Sequence, residues 1–331
     1  MTTIPCLGYA RVWLLSIAVT TVLVAGEDAF WRGRGHRPFV DDTADLWTYH
    51  RGTAAHNNSG TIVFLGTSRM RAAIDTTALR RNCRYSIVQL AVDGPKSPVG
   101  AMAHLIDQGK FRGVIVCEVL APLMDQSRWG DQRLYYEYRP ALVNHFNALS
   151  RLLIRSILAS RNNRLGWRTI LTRVINGVDL PRPHHVESRF DRSVRFDFEL
   201  VPNLKSVRAI RTEAVRAEYA ESDFPTVESL SDELKTLDEM VRRLQQHGGE
   251  VVFLRLPSTG ERWKIEEHFH PRAKYWAQFR EHCSGSWIHF SDLPTIRDVT
   301  CPDESHLDQR GASRLTMALI DELRRQHVLA E

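Results

Sequence analysis

The feature that most restricts this chain is an alternation of short β-branched runs with helical stretches. Thr61 to Leu65 (TIVFL) ends in Gly66-Thr67-Ser68, and residues 70–81 then have the composition of a helix. Residues 85–92 (YSIVQLAV) and 113–119 (GVIVCEV) read as two more strands, with a helical stretch over 99–108 between them. The rhythm returns after residue 225. Leu230, Leu234, Leu237, Val241 and Leu244 recur at helical spacing, Gly248-Gly249 ends that helix, and a Trp/His-rich helical region lies between strands at 251–256 (VVFLRL) and 287–290. A last helix is expected over 308–327. Strands this apolar are covered on both faces, so the alternation predicts a parallel sheet flanked by helices. Five strands in this order predict an α/β, flavodoxin-like three-layer sandwich, with function at the C-terminal ends of the strands.

Two stretches break the pattern. Residues 27–59 are rich in Arg, Asp, His, Gly and Trp without sustained periodicity and read as a stalk or linker. Residues 120–225 read as an insertion into a domain spanning 60–331: an Arg-rich helical stretch (142–160, then 167–175) followed by an irregular Pro/His/Arg segment. Within that segment Phe190, Val194, Phe196, Phe198 and Leu200 hint at extended structure. The basic stretch, with Arg151, Arg155, Arg161, Arg164 and Arg168 among Leu, Ile and Trp, reads either as a cover for the sheet or as a surface for an anionic membrane.

Ahead of the stalk, Val12 to Gly26 is fifteen residues without a charge, between Arg11 and Glu27-Asp28. A spanning helix needs about twenty apolar residues. Residues 1–26 therefore read as a signal anchor lengthened by Ile4 to Ala10, which holds the globular part outside the cytoplasm, or as a signal peptide cut near Val24-Ala25-Gly26. A soluble binding protein would instead have to pack this segment into its core.

The 331 residues, 43% apolar and 25% charged, are the mix of a folded chain large enough for one domain with an insertion. The net charge of +5 comes from scattered Arg, without a zinc-finger or RNA-binding signature, which argues against nucleic acid and leaves an acidic glycan or lipid headgroup as a fitting partner. None of the five cysteines has the CxxC spacing of a metal or redox motif. Cys283 and Cys301 either pair, if the domain is extracytoplasmic, or stay as buried thiols. His184-His185 and His268-Phe269-His270 lack a third ligand at a typical spacing, so no metal and no cofactor are expected.

Ser68, directly after the first strand, is positioned for chemistry. The turn exposes its Oγ, and nearby N–H groups and the helix dipole can stabilise an oxyanion. A serine hydroxyl needs a general base. Asp303-Glu304-Ser305-His306 offers one, since an Asp three residues before a His on a loop can fold back onto Nδ1 and leave Nε2 free for the serine. Arg69 and Arg255, beside strand ends, are candidates for binding a carboxylate or phosphate.

The G-x-S turn (FLGTSR), the glycine after strand two (LAVDGPKS, Gly94) and the D-x-x-H before the last helix (DESHLDQRGASRLT) resemble the SGNH, or GDSL-like, hydrolases over residues 60–120 and 225–330. An N-terminal anchor followed by G-x-S-R is similar to the membrane-attached branch that serves cell-envelope polysaccharide O-acetylation and teichoic acid D-alanylation. The resemblance implies Ser68 as nucleophile, His306 as base, Asp303 as its orienting acid, and the N–H groups of Ser68 and Gly94 as oxyanion donors. It implies a serine esterase or O-acyltransferase acting on an acylated glycan or small ester, beside a membrane acyltransferase partner. A non-catalytic member would bind glycan or support such a complex. The family's Gly-x-Asn-Asp after strand three is replaced here by Cys117-Glu118-Val119-Leu120, which removes one oxyanion donor.

Overall fold

The apolar runs lie side by side in a computed structural model, which describes residues 6–56, 58–109, 111–221, 226 and 230–329. The N-terminal half comprises α1 (Cys6–Gly33), α2 (Ala44–His56), β1 (Thr61–Leu65), α3 (Ser68–Ala73), α4 (Thr76–Asn82), β2 (Ser86–Gln89), α5 (Val99–Asp107) and β3 (Val114–Glu118). The insertion follows with α6 (Arg133–Tyr136), α7 (Leu142–Ile157), α8 (Trp167–Ile175), β4 (Val186–Ser188), β5 (Val194–Phe196) and α9 (Leu204–Glu221). The chain then returns to the sheet through α10 (Leu230–Gln246), β6 (Glu250–Arg255), α11 (Gly260–Phe269), α12 (Arg272–His282), β7 (Ser286–His289) and α13 (Gln309–Arg325).

The main sheet has the order β2-β1-β3-β6-β7 and all its strands are parallel. Val63 stands opposite Val88 and Ile115, and Ile115 opposite Val251, so β-branched side chains line up across the central strands. Alternate residues feed two cores. Val63, Leu65, Ile115, Cys117, Val251 and Phe253 pack with α2, α5, α10 and α12. Ile62, Phe64, Val114, Val116, Val252 and Leu254 pack with α3, α4 and α13. Helices thus cover both faces of the sheet, giving three layers. In this strand order β1 and β3 are neighbours whose connections leave in opposite directions, which opens a crevice at their carboxyl ends.

The stretch read as a stalk is instead part of the fold. Helix α1 continues to Gly33, and α2 inserts a fully buried Trp47 against the sheet, where its Nε1–H donates to Leu90 O at 2.8 Å. Only Leu46, Trp47 and Ala54 of α2 are buried hydrophobics, too few to show as periodicity. The helix expected over 70–81 is two helices. Asp75 interrupts it and caps the second, accepting from Thr77 N (3.0 Å) and Ala78 N (3.1 Å). The extended structure around Phe190 is an antiparallel β4–β5 hairpin, and α9 lies in the segment read as irregular. Cys283 and Cys301 are free thiols in cores on opposite faces of the sheet, which rules out their pairing.

Candidate active site

The turn after β1 is shaped by one carboxylate. Glu118, fully buried at the end of β3, accepts from Thr67 N (2.7 Å) and Thr67 Oγ1 (2.9 Å). Gly66 is required beneath it, since a Cβ there would meet Glu118 Oε2 at 2.6 Å and Met70 Cβ at 2.7 Å. Thr67 caps α3 by accepting from Arg69 N, which leaves Ser68 at the first helical position and half-buried. In the four-residue stretch Cys117-Glu118-Val119-Leu120, set against Gly-x-Asn-Asp, Val119 stands where the resembled pattern has its oxyanion-donating Asn, and Glu118 precedes it. A carboxylate only accepts, so here it braces the turn.

Across the crevice, the loop before α13 supplies the imidazole. Glu304 takes φ +68°, outside the usual range for a non-glycine residue, and its carboxylate is tied down by Thr212 Oγ1 (3.0 Å) and Arg262 N (3.3 Å). This kink folds Asp303 back onto its own loop. Asp303 Oδ1 accepts from Ser305 N (3.0 Å) and His306 N (2.7 Å), and Oδ2 lies 2.9 Å from His306 Nδ1. His306 Nε2 then stands 3.0 Å from Ser68 Oγ. The three residues expected from the sequence are therefore joined in one chain of hydrogen-bond contacts. Phe196 of the hairpin stacks on the imidazole at 4.7 Å between ring centroids.

Electrostatics favour the ionisation states that such a chain needs. Burial by itself would raise the Asp303 carboxyl, but its bond to His306 and the charges of His306 and Arg211 prevail and hold it at about 2. Burial is the main force lowering His306 below its ordinary 6.5, opposed by Asp303 and assisted by Arg211 and Arg69. At neutral pH the pair is carboxylate and neutral imidazole.

Sequence reading missed Arg211. Its Nη1 bonds to Asp303 Oδ2 and lies 2.8 Å from His306 Nδ1. Nδ1 cannot donate to Asp303 and accept from Arg211 at once, so the two contacts select opposite imidazole tautomers. A signal for this residue was present: Val207, Arg211, Val215 and Tyr219 recur at four-residue steps, and Val215 and Tyr219 are buried against Ile265.

The two arginines expected to bind substrate are structural. Arg69 Nη2 donates to Leu256 O (3.0 Å), Pro257 O (2.9 Å) and Ser258 Oγ (2.8 Å), while the guanidinium sits between Glu118 (3.8 Å) and Glu266 (3.6 Å). Arg255 donates to Leu256 O and to Glu266 Oε2. Both are buried beside the carboxylates that neutralise them. Gly94 lies in the loop after β2 with φ +97°, beside Asp93.

The crevice has a volume of about 310 Å³ and is lined by Ser68, His306, Arg71, Asp93, Arg211 and Phe39 together with the β4–β5 hairpin. Arg71 staples it, donating to Arg192 O (3.0 Å), Asp42 (3.1 Å), Asp93 (2.6 Å) and Ser188 Oγ (3.2 Å). A larger depression of about 700 Å³ on the other side of the hairpin shares His184, His185, Val186 and Phe196 with it.

Together these features define an α/β protein with a Ser–His–Asp constellation at the carboxyl edge of a parallel sheet. The sequence matches no protein-family model, and no curated protein aligns with it significantly.

Proposed function

We propose that this protein is an SGNH-type serine esterase or O-acyltransferase, attached to a membrane by α1, with its domain on the extracytoplasmic side. The observation that carries this reading is the geometry of Ser68: its Oγ is 3.0 Å from His306 Nε2, while Nδ1 of the same ring is 2.9 Å from a buried carboxylate. His306 takes the Oγ proton as Ser68 attacks the ester carbonyl, and Asp303 stabilises the imidazolium. The N–H groups of Ser68 and Gly94 serve as donors to the oxyanion. Collapse expels the alcohol, which leaves with the proton from His306, and the acyl group stays on Ser68. A water, or the hydroxyl of an acceptor sugar, then deprotonated by His306, releases it.

An acylated envelope glycan is the substrate class that suits a membrane-attached, basic domain. The exposed apolar surface of α1 over residues 12–24 supports attachment and argues against a soluble binding protein that buries this segment. With Val119 in place of the Asn donor of the resembled pattern, transfer between esters is favoured over rapid hydrolysis. A second reading rests on Arg211: a guanidinium held on Nδ1 puts the ring proton on Nε2 and disables the base, as suits a non-catalytic glycan-binding member.

Intact-mass measurement of the full chain in detergent after exposure to p-nitrophenyl acetate separates the two. An acetyl adduct that is lost in Ser68→Ala and His306→Ala supports the enzyme, and its lifetime in water distinguishes esterase from transferase. Failure of the wild type to acylate, with p-nitrophenol release equal to that of the variants, favours the binding protein.

A further inference from the structure

Helices α7 and α8 leave most of their apolar side chains outside any core. Helix α7 touches the body through His145, whose Nδ1 is 3.0 Å from Asp45 Oδ1, through Arg155, which pairs with Asp41, and through Leu149 and Leu152, which pack with Val40 and Leu46. Leu142, Phe146, Ile157, Trp167 and Ile175 are 60–83% exposed, α8 buries no side chain and α7 buries one, Leu152. An exposed apolar face of this extent marks an interaction surface.

The charge around these helices narrows the occupant. Between Glu137 and Asp179 the chain has seven arginines and no acidic residue. Arg151, Arg164 and Arg168 form no ion pair among the described residues. Apolar stripes set in a basic background suit an anionic lipid surface.

Position narrows it further. The segment between the two helices docks on α1 just past its uncharged stretch: Ser160 N donates to Asp28 Oδ1 (3.1 Å), Arg161 pairs with Glu27 (3.4 Å), and Arg32 donates to Ile157 O (2.5 Å). Helix α1 is exposed and apolar over a length sufficient to cross a bilayer. With α1 inserted, Glu27 and Asp28 mark the headgroup level, and the end of α7 and the start of α8 lie there too.

We infer that α7 and α8 form a membrane-contact surface, with their outward apolar side chains among the acyl chains of an anionic leaflet and their arginines at its phosphates. The inference adds to the anchor reading of α1 and does not depend on catalysis. It has a consequence for the site: Asn162, next to the docked segment, lines the larger depression beside the crevice, so substrate would arrive along the membrane surface.

The test uses the full chain reconstituted in phosphatidylcholine vesicles with and without phosphatidylglycerol, and a phospholipid carrying a photoreactive diazirine in its acyl chain. Mass spectrometry of the peptides should find label on α1 and on 142–157 and 167–175, with more on the latter two when phosphatidylglycerol is present. The Phe146→Asp/Ile175→Asp variant should lose about tenfold of the label at 142–178, with label on α1 and acylation of Ser68 unchanged. Label confined to α1, or chemical crosslinks joining 142–178 to a second protein chain, overturns the inference. Label on 142–178 with none on α1 upholds it and removes the anchor.

Discussion

Helices α13 and α7 are 17 and 16 residues long, and both carry apolar side chains at helical spacing. In α13 these residues, Leu315, Leu319, Ile320 and Leu323, are fully buried against the sheet. In α7 most apolar side chains, Leu142, Val143, Phe146, Leu153, Ile154 and Ile157 among them, point away from the protein, and only Leu152 is buried. Amphipathicity therefore states that a helix has a partner without stating which one. The same contrast holds for charge: Glu266 in the body is enclosed by Arg255, Arg262 and Ser258, whereas the arginines of α8 stand at the surface. The α/β body pairs its buried charges and covers its apolar stripes, and the insertion leaves apolar surface for something else.

The largest effect should come from the body's carboxyl edge. Ser68→Ala is expected to lower ester turnover by about a thousandfold or more, read as p-nitrophenol release. An equal loss from Phe146→Ser would erase the distinction between the two regions. Next come the body's buried groups. Glu266→Ala removes the carboxylate that pairs with Arg69, Arg255 and Arg262 and should cost about 3–5 kcal/mol, and Leu319→Ala about 2–5 kcal/mol, both measured by urea unfolding. Costs under about 1 kcal/mol for both would mean that the body is no more tightly determined than the insertion.

A smaller effect sharpens the point where the regions meet. Because His306 lies below 6.5, ester turnover should rise along an acid limb with its midpoint under that pH and then level off. Arg211 of the insertion contributes to the lowering, so Arg211→Gln should move the limb to higher pH. An unmoved limb would leave Arg211 a packing residue only. Asp303, at about 2 when folded against an ordinary 3.8, adds stability that is complete above about pH 4 and lost as the pH falls towards 2, which acid titration of unfolding will show. The smallest effect belongs to the exposed stripe: Phe146→Ser should change the unfolding free energy of the detergent-solubilised chain by less than about 0.5 kcal/mol.

Much of the body was legible in the chain. Five apolar runs became the five parallel strands, with ends shifted by one residue at β3, β6 and β7 and by up to three at β2, because strands buried on both faces need unbroken apolar sequence and leave no other pattern to follow. Ser68, Asp303 and His306 could be singled out because each follows from a local device, a turn after a strand or a carboxylate three residues from an imidazole. Their meeting across 238 residues is tertiary, set by the strand order and the kink at Glu304.

What local sequence could not reveal were the groups whose partners are distant. Arg69 and Arg255 read as ligand-binding cations until Glu118 and Glu266 appeared beside them, and α2 read as a stalk because only Leu46, Trp47 and Ala54 among its apolar side chains are buried. Periodicity and turn chemistry act over a few neighbouring residues and are written in the chain. Whether a charge is neutralised, or an apolar stripe is covered, depends on what the fold brings within a few ångströms of it, and only the assembled structure decides that.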